Sequence, residues 1–204
     1  MNVGATVMET EIEAKFLAVN HDAMRSKLMN LGANCTQPMR LMRRKIFDFS
    51  DNRLNKEHNG WIRVRDEGDK ITLSYKQLNN RTLQGTKEVT VTVHDFDTMC
   101  LFLEQLGLEA KSYQETKRES WELNGAQIEL DEWPWVKPYM EIEAPSEEIV
   151  QSVVDKLGIA MADAVYGSVE IAYQAEYDVT DEDIDALKTI TFGDVPASLK
   201  ARKK

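Results

Sequence analysis

Glu11-Ile12-Glu13-Ala14-Lys15-Phe16 alternates charged and apolar side chains with a period of two, the pattern of a strand with one polar and one apolar face. Most polar strand faces mix Thr, Ser, Lys and Glu loosely. This one carries two glutamates and then a lysine. Glu11 and Glu13 would stand about 7 Å apart on one face, where like charges repel unless bases or cations oppose them.

The same sorting recurs downstream. Arg63 and Arg65 share a face in Trp61-Ile62-Arg63-Val64-Arg65, and Ile71-Thr72-Leu73-Ser74-Tyr75-Lys76 alternates likewise. Lys87–Val93 places Val89, Val91 and Val93 on one face and Glu88, Thr90 and Thr92 on the other. Arg44–Phe49, Thr116–Leu123, Ala126–Asp131 and Tyr139–Ala144 read as further strands. Asn59-Gly60, Glu67-Gly68-Asp69, Gln84-Gly85 and Asn124-Gly125 punctuate them as turns, and short connections favour an antiparallel meander. Helices are predicted over Asp22–Leu31, Asp95–Leu106, Ser146–Leu157 and Ala162–Tyr177, with a short acidic one after Thr180. Asp95 and Ser146 are the expected N-caps. Glu-Ile-Glu-Ala occurs twice, at Glu11–Ala14 and Glu141–Ala144, each copy preceding a helix that closes with Leu-Gly.

Collected by face, the polar groups form two sets. The acids are Glu11, Glu13, Glu88, Glu129, Asp131, Glu141 and Glu143; the bases are Lys15, Arg63, Arg65, Lys76 and Arg118. Paired carboxylates suit Mg²⁺ or Mn²⁺, and converging Arg and Lys suit a polyphosphate. Any one pair is compatible with a solvated sheet face. The set spread over at least six strands points to a metal-bound polyphosphate inside a closed barrel whose apolar outside is covered by helices.

Composition sets the outer limits. A chain of 204 residues with 42% apolar and 29% charged residues can bury the core of one domain. No run approaches the ~18 apolar residues of a membrane span, and no charged-then-apolar leader is read at the start. Cys35 and Cys100 lack metal spacing and read as buried thiols, so a reducing, cytoplasmic setting is expected. The net charge of -10 argues against a general nucleic-acid binder. That excess is local: residues 141–185 hold 13 acids and one base, whereas the first 140 hold 21 acids and 19 bases.

The ordered residues resemble the CYTH, or triphosphate tunnel, superfamily, which includes class IV adenylyl cyclases, thiamine triphosphatases, inorganic triphosphatases and fungal RNA triphosphatases. The resemblance rests on Glu11-x-Glu13-x-Lys15, Phe47-Asp48, Arg63-Val64-Arg65, Thr72–Lys76, Lys87-Glu88, Arg118, Ile128–Asp131 and Met140–Glu143. It implies an α+β fold, a closed eight-stranded antiparallel β-barrel over residues 1–204, with 145–204 supplying covering helices and a C-terminal tail. It further implies that Lys15, Arg63, Arg65, Lys76 and Arg118 grip a triphosphate. Glu11, Glu13, Asp131, Glu141 and Glu143 would hold Mg²⁺ or Mn²⁺, with Glu88 and Glu129 as additional tunnel acids and Glu11, Glu13, Lys76 and Arg118 in catalysis. The sequence departs from the family pattern at Thr116, where a tunnel lysine is frequent, and at Thr90, where a second glutamate is. The expected activity is metal-dependent hydrolysis of a small triphosphate; the alternatives are class IV adenylyl cyclase and a non-catalytic polyphosphate or nucleotide binder. Neither nucleic acid nor membrane is expected as a partner, and a homodimer is compatible with the chain.

Among smaller signals, Trp121, Trp133 and Trp135 read as one aromatic cluster packing at the barrel mouth, and Trp61 as a border of the tunnel entrance. His21, His58 and His94 read as surface or loop residues, Asp178–Asp185 as a solvated face, and Lys200–Lys204 as a fraying basic end.

Overall fold

The computed structural model describes residues 8–204. Residues 1–7, on which the expected absence of a leader and the start of the single domain rest, lie outside the described residues. Ten strands and seven α-helices follow in chain order. The strands are β1 (Glu9–Glu11), β2 (Glu13–Phe16), β3 (Asn34–Phe49), β4 (Gly60–Asp66), β5 (Ile71–Leu78), β6 (Thr86–Val93), β7 (Leu108–Leu123), β8 (Ala126–Glu132), β9 (Tyr139–Glu143) and β10 (Thr189–Ile190). The helices are α1 (His21–Asn30), α2 (Arg53–His58), α3 (Phe96–Gln105), α4 (Glu147–Lys156), α5 (Glu170–Glu176), α6 (Asp181–Asp185) and α7 (Ala197–Lys200).

Nine strands run in the order β1-β6-β5-β4-β3-β7-β8-β9-β2, every pair antiparallel. β1 and β2 are the two halves of the alternating opening strand, parted at Ile12: one half pairs β6 and the other β9. The sheet therefore rolls into a nearly closed barrel whose seam is one continuous piece of chain, and counting the halves together gives the expected eight strands. The two Glu-Ile-Glu-Ala copies meet there, with Glu13 opposite Glu143 and Lys15 opposite Glu141.

Strand alternation puts the polar faces inside and the apolar faces out. α1 and α4 cover the outside of β2, β8 and β9 through Met24, Leu28, Val150, Val153 and Val154, packed on Ala14, Phe16, Ile128 and Ile142. α3 covers β3 and β4 through Phe96, Cys100 and Leu103 on Phe47 and Val64. Asp95 and Ser146 cap α3 and α4 as expected, accepting from Thr98 and Ile149 N–H. Asp48 caps the unanticipated α2, its carboxylate accepting from Leu54 and Asn55 N–H at 3.1 and 3.0 Å.

Several local expectations are corrected. The helix predicted over Ala162–Tyr177 is a 3₁₀ turn at Met161–Asp163 followed by α5, because Gly167 at φ +117° interrupts it. His21 is buried, its Nε2 within 3.0 Å of the Tyr139 carbonyl, and Cys35 is exposed. The tryptophans do not form one cluster. Trp121 packs with the α1–α4 core, while Trp133 meets Tyr173 edge-on and Trp135 donates to the Gly193 carbonyl. The basic end is tied down, with Arg202 on Asp183 at 2.6 Å and Lys204 N–H on the Glu176 carbonyl at 2.9 Å. None of the described helices is long and apolar enough to cross a membrane.

Candidate active site

A cavity of about 1660 Å³ runs through the barrel. Glu11, Glu13, Lys15, Arg63, Arg65, Lys76, Glu88, Arg118, Glu129, Glu141 and Glu143 all line it. Of the candidate residues only Asp131 is hidden from it: fully buried, it lies behind Arg118. The register explains the gathering, since Lys76 faces Glu88 across β5–β6, Arg118 faces Asp131 across β7–β8, and Glu129 faces Glu141 across β8–β9.

Each expected base holds an acid. Lys15 bridges Glu13 and Glu141, the latter at 3.0 Å. Lys76 lies 2.8 Å from Glu11 and 3.0 Å from Glu88. Arg63 donates to Glu88 at 3.2 Å, and Arg118 grips Asp131 and reaches Glu141 at 2.6 Å. Arg65 turns to Glu67 at 2.7 Å. Glu67 is 5% exposed and was not anticipated, because its position in a Glu-Gly-Asp turn reads as solvent-facing.

Burial and crowding shape the protonation states. Burial pushes Glu11 up to about 7, with Glu88 adding to the rise and Lys76 opposing it. Burial also penalises ionised Glu88, but a hydrogen bond from Glu11 and the charges of Lys76 and Arg63 hold it well below the usual carboxylate range. Glu141 is depressed in the same way: Lys15 and Arg118 overcome its burial. Glu129 and Glu143 are raised by burial, and both lack a close base: Arg118 Nε stands 4.0 Å from Glu129, and no ion pair of Glu143 is seen among the described residues.

The two departures leave neutral side chains on the inward parity of their strands. Thr116 is 2% exposed and shares the parity of Gln114 and Arg118 without lining the cavity, while Lys117 points out to Glu132 and the Phe192 ring; register is unbroken from Met42↔Thr116 to Arg40↔Arg118, so no bulge turns Lys117 inward. Thr90 Oγ1 bonds Ser74 Oγ and Glu88 Oε1, each at 2.6 Å.

Two further lumenal arginines come from β3. Arg40 donates to the Glu67 and Arg118 carbonyls and to Ser120 Oγ. Arg44 stacks 4.0 Å over the Trp133 ring. Arg44 is missed in the sequence because Arg43-Arg44-Lys45 is basic on both strand faces, so alternation carries no signal; Arg40 is missed because it precedes the strand read at Arg44–Phe49, which in fact begins at Asn34. At one mouth the cavity is bordered by the C-terminal segment, through Ser168, Glu170, Asp181, Glu182, Asp185 and Lys188, so the acids expected on a solvated face stand partly at the tunnel's edge.

Among the described residues no three His, Cys, Asp or Glu stand ready-arranged around a metal position, since most acids are turned to bases. The donor set nevertheless fits a hard divalent cation. It is all carboxylate oxygen, and Glu129 Oε2 is buried without a hydrogen-bond partner.

The CYTH domain profile matches residues 9–168. The chain belongs to the CYTH family. No curated protein matches it by sequence. The CYTH fold is shared with the PH1012 protein of Pyrococcus horikoshii OT3, at TM-score 0.63 and 22% identity over 76% of this chain and 93% of that one. A candidate adenylate cyclase of Vibrio parahaemolyticus superposes at TM-score 0.70 and 13% identity, covering 82% and 99%. A candidate adenylyl cyclase of Hippeastrum, described as revealing a dominant triphosphatase activity, superposes at 0.54 and 15%, covering 86% and 95%. CYTH enzymes act on triphosphates, as cyclases or triphosphatases, and generally use divalent metal ions.

Proposed function

We propose that this CYTH protein hydrolyses a small triphosphate, inorganic triphosphate or a related organic one, with a divalent cation. The observation that carries this reading is the interleaving of five bases and six acids along the walls of one cavity. Lys15, Arg63, Arg65, Lys76 and Arg118 would exchange their carboxylate partners for phosphate oxygens, a near-balanced trade because both are charge-assisted pairs in a low-dielectric tunnel. Glu11, Glu13, Asp131 and Glu141, released from them, together with Glu143 and with Glu88 and Glu129 beside them, would hold Mg²⁺ or Mn²⁺. Bound there, the cation would draw charge from the phosphates and activate water. The bases would neutralise charge developing on the phosphoryl oxygens as water attacks the terminal phosphorus in line. Glu11 and Glu13, which precede Lys15 on the seam strand, with Lys76 beside Glu11 and with Arg118, would align the reacting group.

Hydrolysis is the first reading and adenylate cyclisation the second: of the lining tryptophans, Trp133 is closed to a nucleobase, being 6% exposed beneath Arg44, whereas Trp61 is partly exposed. Incubation with Mg²⁺ or Mn²⁺ and, separately, tripolyphosphate, thiamine triphosphate and ATP tests the reading. Free phosphate is the expected product. Cyclic AMP with pyrophosphate would establish the cyclase, and no turnover with either metal, with tripolyphosphate still bound, would favour a binder.

A further inference from the structure

We propose that Arg44 is a phosphate-contacting residue of the tunnel, completing the basic lining between β4 and β7. The inference rests on the triphosphate reading above and adds a residue to it.

Arg44 differs from Lys15, Arg63, Arg65, Lys76 and Arg118 in having no ion pair among the described residues. It is 9% exposed, and its Nε and Nη2 are buried without a hydrogen-bond partner. Arg40, two positions earlier on the same face, is satisfied by two carbonyls and a hydroxyl. Arg44 faces Arg65 on one side and Gln114 on the other. Along β7 between Ser112 and Arg118 the cavity is lined by the neutral Gln114, so Arg44, directly opposite it, is the charge available to that stretch.

Its environment does not compensate that charge. Stacking on Trp133 offsets only part of the cost of desolvating an unpaired guanidinium. Burial first, then Arg63, Arg65 and Arg118, push Arg44 down to about 9. An arginine held for stability would have its donors matched, as Arg40 does; Arg44 lines a cavity whose proposed ligand is a polyanion and keeps two donors unmatched. Trp133 fixes the plane of the guanidinium, so its fork is oriented before the ligand arrives.

Tripolyphosphate binding measured by calorimetry in EDTA, where turnover does not intervene, tests this on the wild type and on Arg44→Met and Arg44→Lys. Arg44→Met should weaken binding at least about 10-fold, the range of a lost charge-assisted hydrogen bond, with Arg44→Lys between the two. The same Arg44→Met should leave the ligand-free melting temperature unchanged or raised, because an uncompensated charge is removed. Affinity within twofold of wild type, or a clear fall in the ligand-free melting temperature with affinity retained, overturns the assignment. A wild-type chain that binds no tripolyphosphate overturns the tunnel reading itself, and Arg44's part in it.

Discussion

Arg118 holds Asp131 through Nε and Nη2, at 2.7 and 2.5 Å, behind a tunnel wall from which Asp131 is wholly hidden. Burial raises the Asp131 carboxyl, and Arg118 opposes the rise. The pair thus stores a carboxylate that becomes available only when the guanidinium is drawn to another anion.

Asp131→Ala leaves a buried guanidinium with Glu141 alone in close contact. Loss of one partner from such a pair costs about 3 kcal/mol, and urea unfolding should read that loss. A change below about 1 kcal/mol would mean that Glu141 and Glu129 suffice for Arg118.

Lys76 bridges Glu11 and Glu88, at 2.8 and 3.0 Å. Lys76→Met removes a phosphate ligand and also leaves the two carboxylates facing each other. Tripolyphosphate affinity should fall about 10- to 100-fold, as expected for losing a charged donor in a dry site. Unaltered affinity by calorimetry would place the ligand elsewhere in the cavity.

Turnover should vanish in EDTA and return with Mg²⁺ or Mn²⁺, while tripolyphosphate binding persists without metal through the bases. Phosphate release that continues at full rate in EDTA would remove the carboxylates from the chemistry and leave them as counter-ions.

At the acidic mouth, burial and the charges of Asp185 and Asp181 push Glu170 up to about 7, and burial pushes Asp185 up to about 6. A carboxyl raised in the fold binds more protons there than in the unfolded chain, so stability falls as pH rises from about 4.5 through 7. Glu170→Gln should stabilise the protein by about 1–2 kcal/mol at pH 8 and hardly at pH 4.5. Equal stabilisation at both values, by denaturant midpoint, would show that ionisation of Glu170 is not what costs stability.

How far the site could be read from sequence depended on contrast between strand faces. Glu11 and Glu13, or Arg63 and Arg65, stand out because Ile12, Val64 and their neighbours are apolar. Arg44 sits between Arg43 and Lys45 and is invisible to the same reading; Glu67 hides in a turn; His21 is buried by β9, far along the chain. The barrel was legible because each strand carries its own alternation, but the break at Ile12 was not, since parting one strand between two partners leaves its period of two intact. The C-terminal region misled in the opposite way: its acids read as solvated because nothing local announces the tunnel they border.

That shared opening strand has a consequence for how the protein is made. β6 and β9 are the two free edges of the sheet until residues 9–16 bridge them, and the second partner, at 139–143, is synthesised long after the first. During that interval the growing chain carries an open edge on β2 and a lumen of unopposed charge. Barrel closure is therefore the highest-separation step of folding and sets its pace. Here the hydrophilic lining guards the nascent chain, because an edge bearing Glu13 and Lys15 is a poor template for strand addition by a neighbour.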